Sequence, residues 1–178
     1  MRSIEPIAKF DLAFSLFCLQ HKFSRPISKL CRVISHTGDG HLYALLGGLS
    51  WWLGGEAGSL FLAAGLLAFV IELPIYWTAK NVFKRRRPQE LCALVPSFIT
   101  PSDRYSLPSG HTAAAFLIAT LIGQFYPAYE SFSLVWAALI AMSRILLGVH
   151  FFSDVLIGAC MGIACATTAL SLIGSYGL

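Results

Sequence analysis

"GSLFLAAGLLAFVIELPIYWTA", residues 58–79, decides the fold. It carries a single charged side chain, Glu72, and a single proline, Pro74. A helix needs about 20 predominantly apolar residues to cross the hydrocarbon core of a bilayer, and this stretch supplies them. Four more candidates appear on working outward: 40–55 (ending in Trp51 and Trp52), 109–127, 131–148 with Arg144 near its end, and 151–174 with Asp154 near its start. Gly158, Ala159, Gly162, Ala164 and Ala166 give the last of these a small-residue face that permits close helix packing. The composition agrees, with 56% hydrophobic and 12% charged residues in 178, about half the charge share of a soluble domain. The expected fold is all-α: a polytopic membrane helix bundle of about five transmembrane helices.

The first 36 residues differ in texture. Lys9, Asp11, Lys22, Arg25, Lys29 and Arg32 alternate with Phe and Leu at helical spacing. Lys9 and Asp11 make a span over 6–20 costly, so two amphipathic helices lying in the interface and split by Pro26 are expected. Residues 1–36 then form an interfacial segment and 37–178 the membrane-embedded domain. No cleavable leader is expected, because charge interrupts the first apolar run and no small-residue cleavage site follows. The five cysteines show neither metal-type spacing nor an even count and read as packing thiols.

Five spans put the polar connector 84–108, the 148–151 turn and the N-terminal segment on one face. That face gathers Lys80, Arg87, His111, Arg144, His150 and Asp154, and ionisable groups at membrane depth are costly enough to suggest function. His150 and Asp154, four apart at a helix start, share a face. A carboxylate on one imidazole nitrogen fixes the tautomer and leaves the other free as a nucleophile. Ser109–Gly110–His111 opens another helix with a hydroxyl, an unobstructed N–H and an imidazole, at a terminus suited to anions. Lys80, Arg87 and Arg144 would neutralise a phosphoryl group and its developing charge. The set describes a phosphoryl-transfer site with no metal. Asp103 and Glu90, the carboxylates of the loop, read as solvated, and Lys84, Arg85 and Arg86 as a run that meets lipid headgroups. Glu72 is expected to be a protonated carboxyl capping a backbone group freed by Pro74, or else a water-mediated partner of Lys80.

Three motifs in order resemble the type 2 phosphatidic acid phosphatase family: "KNVFKRRRP" (80–88), "PSGH" (108–111) and "SRILLGVHFFSD" (143–154). The resemblance covers most of 38–175. It implies that His150 attacks phosphorus to form a phosphohistidine and that Asp154 orients it. His111 protonates the leaving oxygen and then activates water, while Lys80, Arg87, Ser109, Gly110 and Arg144 cradle the phosphoryl oxygens. It implies no cofactor or metal, and as partners a lipid phosphate and the bilayer rather than nucleic acid. Candidate substrates are phosphatidic acid, phosphatidylglycerophosphate, lipid A phosphates and undecaprenyl diphosphate. Related undecaprenyl-diphosphatases often carry Asp where Gly110 stands, which favours the first three. A lipid phosphotransferase would use the same site, whereas a non-catalytic scaffold would not keep both histidines. The resemblance places the chain in a bacterial cytoplasmic membrane with the site facing the periplasm or exterior. The charge distribution points the other way: in the five-span arrangement all 13 Lys and Arg fall on the site face, and the positive-inside rule assigns that face to the cytoplasm.

Overall fold

A computed structural model describes residues 5–20 and 24–175 of the chain. Arg2, Lys22 and Leu178 lie outside them. Among the described residues the regular structure is helical: α1 (Glu5–Leu19), α2 (Ser24–His36), α3 (Gly40–Leu53), α4 (Gly55–Phe83), the single turn α5 (Pro88–Leu91), α6 (Gly110–Phe125), α7 (Glu130–Leu146) and α8 (Phe152–Ser175). A 3-10 turn, Pro127–Tyr129, links α6 to α7.

Apolar length puts α4, α7 and α8 across a membrane. At 29 residues α4 runs about 43 Å, more than a bilayer core requires. The other two expected spans fall on shorter helices, α6 with 16 residues and α3 with 14, below the usual crossing length. α6 is the centre of the bundle, packed against α4, α7 and α8. Ala113, Ala115, Leu117, Ala119 and Leu121 are fully buried along it. The small residues of α8 allow that packing: a Cβ on Gly162 would lie 2.1 Å from the Ala113 carbonyl oxygen, and one on Gly158 2.6 Å from that of Ser109. Leu66, Val70, Trp77, Val135, Leu139 and Leu156 stay exposed on the outer faces, as suits helices whose solvent is hydrocarbon.

The N-terminal helices depart from the sequence reading in two ways. Pro26 does not split them; it is the third residue of α2, where its missing N–H has no intrahelical partner to lose. α1 also turns its polarity inward. Asp11, Ser15 and Leu19, each four apart, are buried, while Ile7, Phe10 and Phe17 are exposed. The charge that argued against a span here is what ties the helix to the bundle, since Asp11 accepts from Arg85 and from the Ser153 N–H of α8. α2 packs on α7 through Ser28, Cys31 and Ser35 and keeps Arg25, Lys29 and Arg32 outside.

Candidate active site

The bundle brings the sequence motifs to one end. Lys80 lies in the last turn of α4, Gly110 and His111 open α6, Arg144 lies in the last turn of α7, and Asp154 in the first turn of α8. The α7–α8 turn holds His150 and depends on Gly148. Gly148 has φ +75, and a Cβ there would lie 2.0 Å from the Pro96 carbonyl oxygen, so the turn and the 92–103 loop meet backbone to backbone.

A cavity of about 660 Å³ is lined at this end by Asp39, Arg87, Asp103, Gly110, His111, Arg144 and His150. A second, of about 500 Å³, lies between α2 and the 99–102 segment and shares Asp39, Ser102, His111 and Arg144 with the first. Lys80, Ser109 and Asp154 stand behind this wall. Ser109 is fully buried and its hydroxyl pairs with Thr112 at 2.9 Å, so it is not the open hydroxyl the motif suggested. Its backbone N–H donates to the Asp154 carbonyl at 3.1 Å, tying the start of α6 to that of α8.

His150 is buried, and its Nδ1 lies 3.8 Å from Asp154 Oδ2, beyond hydrogen-bond length. Burial pushes the imidazole down to about 4, with the Arg144 charge adding to the fall and Asp154 opposing it; His150 is therefore neutral at physiological pH. Asp154 is fully buried and anchored: it accepts from the Phe151 N–H at 2.8 Å and from Arg85 Nη1 at 2.7 Å. Arg85 also donates to Asp11 at 2.6 Å, and Asp11 accepts the Ser153 N–H at 3.1 Å. Arg85 is thus not a headgroup residue but the clamp between two buried carboxylates.

Asp103 corrects another expectation. Its side chain is only about a third exposed, and it accepts from Lys80 Nζ at 2.7 Å, from the Tyr76 hydroxyl at 2.6 Å, and from Arg87. Burial would raise its carboxyl, but the Lys80 and Tyr76 hydrogen bonds and the Lys80 and Arg87 charges hold it below the ordinary value. Arg87 reaches on to the Val149 carbonyl at 2.6 Å, next to His150. Arg144 donates to Ser35 of α2 at 2.6 Å. Among the described residues, Arg144 Nε and His150 Nδ1 are buried without a hydrogen-bond partner.

His111 has a carboxylate of its own: its Nε2 lies 3.0 Å from Asp39 Oδ1, contributed by the α2–α3 corner. Asp39 also pairs with His36, and His36, Asp39 and His41 bring three potential metal-ligand atoms within 4.8 Å of one another. The sequence reading saw no such cluster, because its members bridge two helices at spacings of three and two. Glu72 is 3% exposed and lines the first cavity. It makes no hydrogen bond with the described residues, so the expected cap on a Pro74-freed backbone group is not formed.

The PAP2 superfamily model matches residues 56–176. A probable lipid phosphate phosphatase beta of Arabidopsis thaliana is 30% identical over 141 residues, 64% of this chain and 66% of that protein. The decaprenylphosphoryl-5-phosphoribose phosphatase of Mycobacterium tuberculosis is 36% identical over 121 residues, 66% of this chain and 61% of that protein. The chain thus spans just under two thirds of the length of these curated relatives. The crystal structure of Aquifex aeolicus LpxE superposes with a TM-score of 0.75 at 27% identity, covering 91% of this chain and 95% of that one. The transmembrane PAP2-type phosphatidylglycerolphosphate phosphatase of Bacillus subtilis gives 0.75 at 22% identity, covering 98% and 90%, a likeness of fold.

Proposed function

The chain belongs to the PAP2 superfamily, and on that premise we propose that it hydrolyses the phosphate of a membrane lipid through a phosphohistidine intermediate. The observation that carries this reading is that His150 and His111 line one cavity together with Arg87 and Arg144.

The free nitrogen of neutral His150 attacks phosphorus in line, and the bond to the lipid oxygen breaks. His111 gives its proton to that oxygen, and the lipid alcohol departs. A water then loses a proton to His111 and attacks the phosphohistidine, which releases inorganic phosphate and restores His150. Asp154, held by Arg85 and the Phe151 N–H, orients His150 and stabilises the positive charge the ring acquires. Arg87, Arg144 and the Gly110 N–H receive the phosphoryl oxygens. Lys80 acts from behind through Asp103, and Ser109 shapes the turn that presents Gly110 and His111. Three cations supply the charge a metal would otherwise supply.

The substrate is a lipid phosphate of the phosphatidic acid, phosphatidylglycerophosphate or lipid A type, its tails leaving the cavity between helices. The prenyl-phosphate relative keeps an undecaprenyl-diphosphate substrate as the second reading. Within residues 1–36, the helices α1 and α2 lie at the membrane surface and brace the site. The protein sits in a bacterial cytoplasmic membrane with its site on the outer side. Catalysis itself requires Lys80, Arg87 and Arg144, which accounts for part of the cationic bias of that face.

The test is phosphate release in detergent against those four substrates, with excess chelator present. Turnover that survives chelation and vanishes in His150→Ala supports the reading. Loss on chelation, restored by a divalent metal, would overturn it. Reporter fusions at the C-terminus fix the orientation: a fluorescent fusion that glows, with a silent alkaline phosphatase fusion, places the site outside.

A further inference from the structure

The cavity that holds the two histidines continues between α3 and α4 as an apolar arm walled by Ala44, Gly47, Leu62, Leu66 and Phe69. Glu72 of α4 opens on that arm. It is 3% exposed and has no hydrogen-bond or ion-pair partner among the described residues. A carboxyl at this depth is costly to leave unsatisfied, and the phosphoryl chemistry has no use for it. It faces the path that a lipid chain takes out of the site.

We propose that Glu72 is the subsite for the acyl linkage of the substrate, the ester or amide group between its phosphate-bearing backbone and its tails. This rests on the lipid phosphatase reading above. A carboxyl in its acid form there has an O–H to donate and lone pairs to accept. It donates to an ester or amide carbonyl and accepts from an amide N–H.

The register fits. Glu72 lies two turns below Lys80, about 12 Å along the helix axis. The Lys80 side chain runs back over Tyr76, its Nζ 5.0 Å from the ring centroid, which shortens that interval. Arg87, Arg144, Tyr76 and Glu72 line the same cavity, so a lipid whose phosphate is held by the two arginines lays its linkage, a few bonds further down the molecule, beside Tyr76 and Glu72. A polyprenyl phosphate has only hydrocarbon to offer there. The subsite therefore selects acylated lipid phosphates over prenyl ones.

The experiment compares dioleoyl phosphatidic acid with its dialkyl ether analogue, which has the same head and tails without carbonyls, on the full chain in detergent. In the wild type the ester should show a KM about three- to tenfold lower than the ether, the range expected of one hydrogen bond. Glu72→Leu should raise the ester KM to the ether value and leave kcat and the ether KM unchanged. Glu72→Gln, which keeps a donor and an acceptor, should retain the preference. Equal KM values for ester and ether in the wild type would overturn the proposal without any variant. So would a Glu72→Leu effect of equal size on both substrates, the mark of a merely structural role. Absence of phosphate release by the wild type from phosphatidic acid, phosphatidylglycerophosphate, a lipid A phosphate and undecaprenyl diphosphate alike would overturn the phosphatase reading beneath it.

Discussion

His150 and His111 line the same cavity, yet the chain holds them in different ways. His150 is buried, its carboxylate lies four residues on, and that carboxylate is clamped by Arg85, itself held by Asp11. His111 is 30% exposed in its side chain, and its carboxylate, Asp39, comes from 72 residues earlier. The proposed nucleophile is buried beside an anchored carboxylate, and the proposed proton carrier sits at a corner between two cavities. A nucleophile must keep one geometry through two displacements, whereas an acid–base group must exchange protons with an alcohol and with water. The difference in setting follows the difference in task.

Removing the histidines separates the two halves most sharply. His150→Ala should abolish phosphate release, and His111→Ala should reduce it by roughly 10²–10⁴-fold, the usual weight of general acid–base catalysis. Acid-quenched His111→Ala, given substrate labelled in its phosphate, should retain more protein-bound label than the wild type. A fully active His150→Ala would break the comparison at its root.

The carboxylates come next. Asp11→Asn loosens Arg85 and through it Asp154. It should lower kcat by about tenfold to 100-fold, as small misplacements of a reacting group do. Breaking a buried pair should also cost about 3 kcal/mol of stability, visible as a lower unfolding midpoint. Asp39→Asn should cost less, about tenfold in kcat with KM unchanged, and Asp39→Glu should restore part of it. If Asp39→Asn proved more damaging than Asp154→Asn, the more exposed half would be the more demanding one and the contrast would reverse.

The smallest effect is on pH-dependent stability. Because burial lowers His150 from 6.5 to about 4, the unfolded chain binds more protons than the folded one between those values. The stability this group contributes is complete above pH 6.5 and falls away as pH drops toward 4. Thermal unfolding midpoints over that range should therefore decline less steeply in His150→Asn.

How much of this was legible in the sequence follows the same division. Lys80, Arg87, His111, Arg144, His150 and Asp154 stand in short motifs at helix ends, where local spacing fixes which groups can meet. Their partners carry no such signal. Asp39 and Ser35 are ordinary polar residues near a helix–helix corner, and only the docking of α2 on α7 brings them to His111 and Arg144. Arg85 was hidden in the run 84–86, whose members all look like headgroup contacts. Asp103 was misread because a carboxylate in a polar loop is normally wet. Asp11 did leave a trace: a charge inside an apolar helix demands a partner. That trace served only as an argument against a span, when it also predicted a buried cation opposite. The helices themselves were legible within a few residues, since apolar length is a property of the chain alone; the inverted face of α1 was not, because it depends on Arg85.

The contact at Gly148 has a consequence for anyone who re-engineers this scaffold. With a Cβ there set to collide with Pro96 at 2.0 Å, the 92–103 loop and the turn carrying His150 cannot be exchanged independently. A loop transplanted from another protein to change substrate preference must arrive with its own matching turn. The two segments, about 50 residues apart along the chain, behave as one heritable cassette.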